Sequence, residues 1–233
     1  MNVFVLTGAG ISAESGLGTF RDAAGLWSQY DLNEVATPEG FARNPAKVHA
    51  FYNARRRNLV GATPNPAHAA LARLERELAA RGGALFLCTQ NVDDLHEQAG
   101  SREVTHMHGR LNRTRCHACG HAFDDAGELS LSQACGRCGR DGRLRPDVVW
   151  FGETPLHLDA IYEALSGADL FAAIGTSGSV YPAAGFVAEA RAAGVRTCEL
   201  NLEASENAFM FDERRYGPAG VVVPAWVEEL LSG

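Results

Sequence analysis

Four cysteines carry the plainest chemical signal in the chain: Cys116-x-x-Cys119 and Cys135-x-x-Cys138, with fifteen residues between the pairs. Each pair is followed by a glycine, Gly120 and Gly139, as a tight turn around a metal requires. Four thiolates at this spacing close a tetrahedral zinc site and leave no open position for a reacting water, so one structural zinc is expected. A redox dithiol and a nucleic-acid-binding zinc ribbon are the alternatives, and the charge argues against the second. With 21 basic and 28 acidic residues the net charge is −7, the wrong sign for non-specific binding to nucleic acid or an anionic membrane. Cys88 and Cys198 sit in apolar runs and read as small buried hydrophobes.

The remaining chemistry-bearing clusters share one property: each follows an apolar, strand-like run. Gly8-Ala9-Gly10-Ile11-Ser12-Ala13 comes after Val3–Thr7. Glycines there allow either an ordinary strand-to-helix turn or the close approach of backbone to a pyrophosphate. The long loop that follows, Glu14 to Asp22, contains Ser15, Gly16, Phe20 and Arg21, and no second strand ends in a ribose-binding acid at the usual distance; Asp31 has the distance without the strand. Gln90-Asn91-Val92-Asp93 follows Ala84–Thr89, where Asn91 or Asp93 could equally cap a helix near Leu95. His106-x-His108-Gly109 ends Val104–Met107 and offers an imidazole suited to proton transfer near neutrality, or a structural histidine. Gly175-Thr176-Ser177 follows Leu170–Ile174, and Asn201-Leu202-Glu203 follows Val195–Leu200; both can cap helices or hold phosphate and ribose hydroxyls.

Bringing these clusters together requires a parallel sheet, whose C-terminal edge binds ligands. Near-continuous apolar strands alternating with helices predict an α/β, Rossmann-like parallel sheet with helices on both faces. Asn65-Pro66 opens one helix, with Leu71, Leu74 and Leu78 on one face and Gly82-Gly83 beyond its end. Pro182–Ala193 predicts another helix, Val221–Val223 a strand, and Trp226–Leu231 a terminal helix. Two stretches break the alternation: a helical one, residues 30–61, with Arg55-Arg56-Arg57, and the cysteine-bearing one, residues 113–145. Both are expected as insertions forming a small helical and zinc-ribbon domain, with residues 1–29, 62–112 and 146–233 forming the large one. At 46% hydrophobic and 21% charged residues, with no apolar run near the ~18 residues that span a bilayer and no signal-peptide pattern at Met1–Thr7, a soluble cytoplasmic protein is expected.

Taken in order, Gly8-Ala9-Gly10-Ile11-Ser12 through Phe20-Arg21, Gln90-Asn91-Val92-Asp93, His108-Gly109, the cysteine pairs, Gly175-Thr176-Ser177 and Asn201-Leu202-Glu203 resemble the sirtuin family over essentially the whole chain. The resemblance implies an NAD-dependent protein-lysine deacylase that yields nicotinamide and O-acyl-ADP-ribose, with mono-ADP-ribosyl transfer from the same NAD site as the alternative. It implies that Gly8, Ala9, Gly10, Ile11, Ser12, Ala13, Glu14, Ser15, Gly16, Phe20, Arg21 and Trp27 close over NAD. Gln90 and Asn91 would bind the nicotinamide-side ribose, Val92 and Asp93 would line the nicotinamide pocket, and Gly175, Thr176, Ser177, Asn201, Leu202, Glu203 and Ala219 would hold the adenosine half. His108 is implied as the general base, with Asn91 beside it as the second catalytic residue. Val149, Phe151, Gly152 and Glu153, with Gly178, Ser179 and Val180, would flank an acylated protein substrate bound as an added extended strand. Tyr52-x-x-Arg55 reads on the residues alone as a packed tyrosine and part of a solvated basic run. By resemblance to class III bacterial sirtuins it becomes a pair that recognises the acid of succinyl- and malonyl-lysine. A monomer without nucleic-acid or membrane partners is expected.

Overall fold

The computed structural model describes residues 1–18 and 30–233. Strands β1 (Asn2–Thr7), β2 (Ala84–Thr89), β3 (Val104–His106), β7 (Leu170–Ile174), β8 (Arg196–Asn201) and β9 (Glu213–Tyr216) form one sheet in the order β3-β2-β1-β7-β8-β9, with every pairing parallel. Chain order reverses between β1 and β7, and that crevice is where doubly wound sheets take their ligands.

Alternation along each strand builds two apolar layers. Val3 and Val5 of β1, Leu85 and Leu87 of β2 and Ala172 of β7 pack under α4 (Pro66–Ala80) and α8 (Ala219–Ser232), through Leu71, Leu74, Leu78, Trp226 and Val227. Phe4, Leu6, Phe171 and Ala173 face the other way, against α6 (Leu158–Ser166) and α7 (Phe186–Ala192), through Ile161, Leu165, Phe186 and Val187. Cys198 lies in the first layer and Cys88 in the second, both buried, and burial raises both thiol pKa values. As expected, Asn65 caps α4 by accepting from the Ala67 N–H at 2.9 Å, with Pro66 in the first turn.

The expected strand at Val221–Val223 is not formed: these valines belong to α8, which also contains Pro224. Val221 is 64% exposed and Val223 fully buried. Docking of the helix's apolar face on α4 outweighs the β preference of consecutive valines. The sixth strand is instead β9, Glu-Arg-Arg-Tyr, a charged edge with almost no buried side chain and the kind of sequence that discourages edge-to-edge pairing.

The interrupting segments form a second body of structure. Helices α1 (Leu32–Val35), α2 (Pro38–Arg43) and α3 (Pro45–Val60) pack Val35, Phe41, Val48, Phe51 and Tyr52 against Leu111, Leu129, Val148 and Trp150. Asp31 caps α1 rather than ending a strand. An antiparallel sheet in the order β5-β4-β6 is made of β4 (Gly109–Cys116), β5 (Ala122–Asp124) and β6 (Leu144–Val148). Arg56 of α3 is 5% exposed and bonds the Leu111 and Arg113 carbonyls and the Thr114 hydroxyl at 2.9 Å each, and the Gly127 carbonyl. It thereby fastens the helices to β4. Among the described residues no helix is long and apolar enough to cross a membrane.

Candidate active site

Two loops meet at the crevice between β1 and β7 with no side chain between them. The Gly8 N–H donates to the Ile174 carbonyl (3.0 Å) and the Gly10 N–H to the Gly175 carbonyl (2.9 Å). Gly175 has φ +63°, and a β-carbon there would stand 2.4 Å from the Ile11 nitrogen; one on Gly10 would stand 2.7 Å from the Gly175 α-carbon. Only glycine permits this backbone-on-backbone contact, which leaves a bare cradle of the kind that admits a pyrophosphate. Ala9, Gly10, Ile11, Ser12, Ala13, Glu14 and Ser15 run as a 3-10 segment ending at Gly16, in place of the long helix of an ordinary dinucleotide fold. Asn65 donates to the Ile11 carbonyl (2.7 Å) and the Ser15 hydroxyl (3.0 Å), and Glu14 accepts from the Gly220 N–H (2.9 Å), next to Ala219 at the start of α8. Asn201 donates to the Thr176 carbonyl (2.7 Å) and accepts from the Leu202 N–H (3.0 Å). Leu202 and Glu203 are exposed, and Ser177 bonds Ser179 at 2.8 Å. Phe20, Arg21 and Trp27 lie outside the described residues.

Beneath the cradle lies a buried polar chain whose proton directions follow from its donors and acceptors. His68 Nδ1 accepts from the Asn65 N–H (3.3 Å), so its own proton is on Nε2, facing the Ser12 hydroxyl at 3.4 Å. Ser12 also accepts from Asn91 Nδ2 (3.1 Å) and donates to Asp93 Oδ2 (3.2 Å), while Asp93 Oδ1 accepts from the Leu95 N–H (3.3 Å) at the start of α5 (Leu95–Gln98). Asp93 is thus both a helix-start acceptor and a member of the network. The Asn91 N–H is held by Thr89 (3.0 Å), whose hydroxyl also accepts from Thr7 (2.8 Å); Thr7 in turn contacts His96 Nε2 (3.0 Å). Burial keeps both rings uncharged, holding His68 down to about 4 and His96 well below the usual value, and it raises the Asp93 carboxyl. Sequence reasoning missed His68 and His96, which look like core residues of ordinary helices; the available signal was Asn65-x-x-His68 spacing, a reciprocal cap.

His108 lies just beyond the end of β3, half-buried, with Nδ1 3.0 Å from the Gln90 carbonyl. A carbonyl only accepts, so the ring proton is on Nδ1 and the lone pair on Nε2. Burial lowers its pKa. Its own carbonyl accepts from the Val149 N–H (2.9 Å), and the Val92 carbonyl accepts from the Leu111 N–H (2.8 Å), tying the histidine and the Asn91 loop to the second body. Past Val149, Phe151 is 48% exposed, Gly152 has φ +87°, and Glu153 bonds the guanidiniums of Arg145 and Arg115. Gly178 is pressed against Asn207, and Val180 is 39% exposed beside it.

Tyr52 is buried and Arg55 half-buried on the same face of α3. The Arg55 guanidinium lies 5.5 Å from the Tyr52 ring centroid and 5.8 Å from that of Phe51; burial lowers its pKa, and Tyr52 and Asp93 favour its protonated form against that cost. Val92 of the Asn91–Asp93 loop packs against the cluster that contains Tyr52. Burial raises the Tyr52 pKa, so the phenol keeps its proton. Of the triplet, Arg57 alone is a surface residue, paired with exposed Glu128.

The four cysteine sulfurs lie within 4.8 Å of one another, with Cys116 to Cys138 at 3.8 Å and Cys119 to Cys135 at 3.7 Å. Tetrahedral zinc with bonds of about 2.3 Å places its sulfurs about 3.8 Å apart, so the donor set fits that ion. The two turns are equivalent: Gly120 (φ +73°) donates to Cys116 and Gly139 (φ +70°) to Cys135, each at 2.8 Å.

A parallel sheet in dinucleotide-binding order, a glycine cradle at its switch point and a four-sulfur insertion define a nucleotide-binding α/β protein with a structural metal module. The chain belongs to the Sir2 family, whose model matches residues 8–182. An NAD-dependent protein deacylase from Caulobacter vibrioides is 70% identical over 232 residues, covering 100% of this chain and 98% of the relative. A crystal structure of a Sir2 homologue with NAD has a TM-score of 0.88 at 39% identity and covers 99% of this chain and 90% of its own. A Sir2 protein bound to acetylated peptide has a TM-score of 0.83 at 26% identity, with coverage of 98% and 92%.

Proposed function

We infer that the chain is an NAD-dependent protein-lysine deacylase, acting on acetyl-lysine and, through Tyr52 and Arg55, on succinyl- and malonyl-lysine. The observation that carries this reading is the tautomer of His108: its Nδ1–H is directed at the Gln90 carbonyl, so its basic Nε2, which has no partner among the described residues, lies on the sheet edge that also holds Asn91 and the bare glycine cradle. NAD held in that cradle would offer its ribose C1′ to the acyl oxygen of the modified lysine, with nicotinamide as the leaving group. Asn91 and Gln90 orient the ribose on that side, Val92 and Asp93 line the nicotinamide pocket, and Nε2 of His108 accepts the 2′-hydroxyl proton. Gly175–Ser177, Asn201–Glu203 and Ala219 hold its adenosine half. The zinc held by the four cysteines is structural: with all four positions filled by sulfur it touches no substrate. Residues Val149, Phe151–Glu153 and Gly178–Val180 border the acylated peptide, read largely through its backbone. Residues 30–61 and 113–145 act as one small domain on the sheet domain, and the protein works as a cytoplasmic monomer.

Arg55 supplies a planar fork that matches a carboxylate, and the neutral Tyr52 phenol supplies an O–H donor. Mass spectrometry of one peptide, acetylated or succinylated, with NAD tests this reading. His108→Ala abolishes O-acyl-ADP-ribose formation from both. Arg55→Met lowers the succinyl-to-acetyl ratio of kcat/KM about 30- to 100-fold, the equivalent of losing a charge-assisted bond. Equal loss of both activities refutes the acid-recognition assignment, and labelled protein without deacylated peptide means ADP-ribosyl transfer instead.

A further inference from the structure

Tyr52 does not meet its neighbours as an isolated phenol. Trp150 directs its indole N–H to the Tyr52 oxygen at 2.9 Å, and the Arg55 guanidinium stands beside the same ring, 5.5 Å from its centroid. Indole and guanidinium are donors only. The indole N–H takes an acceptor position of the phenolic oxygen and the neighbouring guanidinium repels a proton, so the phenol's own O–H is turned away from both. Resting on the acyl-carboxylate reading above, we propose that Trp150 is a positioning residue for acyl selectivity, orienting the Tyr52 O–H toward the substrate's acid.

The surroundings of Trp150 are built to hold that indole still. The Arg145 guanidinium stacks on its ring at 3.2 Å, and Phe41 packs at 5.4 Å. Arg145 is 3% exposed and doubly bonded to Glu153 at 2.6 and 2.9 Å. Glu153 also accepts from the Trp150 backbone N–H at 2.8 Å, and Arg145 donates to the Val148 carbonyl at 2.7 Å. The two bonds to Glu153 set the plane of the Arg145 guanidinium against the indole. The chain Glu153–Arg145–Trp150–Tyr52 runs from the peptide-bordering segment to the acyl-recognising pair. A carboxylate accepts the Tyr52 proton and the Arg55 N–H groups together, whereas an acetyl methyl accepts neither.

Trp150→Phe keeps an aromatic ring for Arg145 and Phe41 and removes the N–H together with the pyrrole half of the indole, a packing loss that both peptides feel alike. With succinylated peptide, KM rises about 3- to 10-fold relative to the acetylated peptide, with kcat moving alike for both, the range expected for one buried hydrogen bond acting through its partner. In a Tyr52→Phe background the same substitution adds no further selectivity change, because its only route to the substrate is gone. Parallel loss of both activities, or additive effects in the double variant, overturns the proposal. Should Trp150→Phe not accumulate folded, wild type and Tyr52→Phe are compared on succinyl-lysine and its uncharged succinamide. Selective loss on the acid supports the donor assignment, and no difference overturns it. The Arg55→Met measurement separates the layers: if it spares desuccinylation the acid reading fails, and if it alone is selective only the role of Trp150 fails.

Discussion

Arg55, Arg56 and Arg57 are consecutive and chemically identical, yet the same substitution to methionine has three different outcomes. Arg56 is the structural one. Its guanidinium is buried and serves the carbonyls of Leu111, Arg113 and Gly127 and the Thr114 hydroxyl, with Asp125 at 3.8 Å. Methionine replaces the aliphatic stem and leaves three carbonyls without donors. At about 1 kcal/mol for each orphaned acceptor, with a little more for the charge-assisted bonds, the loss is about 3–4 kcal/mol. For a chain of this length that corresponds to a fall in Tm of roughly 7–14 °C. Arg57 bonds one partner, and their side chains are 61% and 67% exposed; Arg57→Met changes stability by less than about 0.5 kcal/mol. The assay is a circular-dichroism melt of metal-loaded wild type and both variants, run under one buffer and scan rate. Equal shifts for the two variants, or a loss below about 1 kcal/mol for Arg56→Met, would show that burial and bond count do not govern this site.

Two further outcomes follow from the site. Protonation of His108 at Nε2 removes the only lone pair it offers, and burial moves its pKa below the usual 6.5; kcat/KM is therefore flat through neutrality and falls only on the acid side of about pH 6.5, and an acid limb centred above that value contradicts the effect of burial on this imidazole. Metal analysis returns one zinc per chain for wild type and a deficit for Cys138→Ser. Stripping the metal unfolds the β5-β4-β6 module in near-ultraviolet circular dichroism and abolishes deacylation with it, an expectation that full activity of metal-free protein defeats.

The inner strands were legible in the sequence because both of their faces are buried, which leaves an unbroken apolar run such as Val3–Leu6 or Leu170–Ile174. The edge strand Glu213–Tyr216 was not, since its polar, exposed residues carry no periodic signal. Val221–Val223 misled for the opposite reason: its β-branched residues serve a helix whose inner face, from Val223 to Leu231, is what the core needs. The four cysteines could be read because metal spacing is local. So could the clusters at the strand ends, each a short polar block after an apolar run. The links between clusters could not, because His68, Trp150 and Arg145 act on residues outside their own local stretch, at 3.4, 2.9 and 2.6 Å from Ser12, Tyr52 and Glu153, and nothing in their immediate neighbours announces the partner.

Across the large sheet the register sets His106, Thr89, Thr7, Ile174 and Leu200 side by side in one transverse row. Every loop that reaches the dinucleotide crevice departs within a residue or two of that row, so the strands work as rulers of matched length. Loops beyond the row can lengthen without penalty to one another. A single residue gained or lost inside a strand advances its loop by about 3.3 Å and turns alternate side chains to the opposite face. Change in this protein should accordingly accumulate in its connections, leaving the spacing within β1, β2, β7 and β8 untouched.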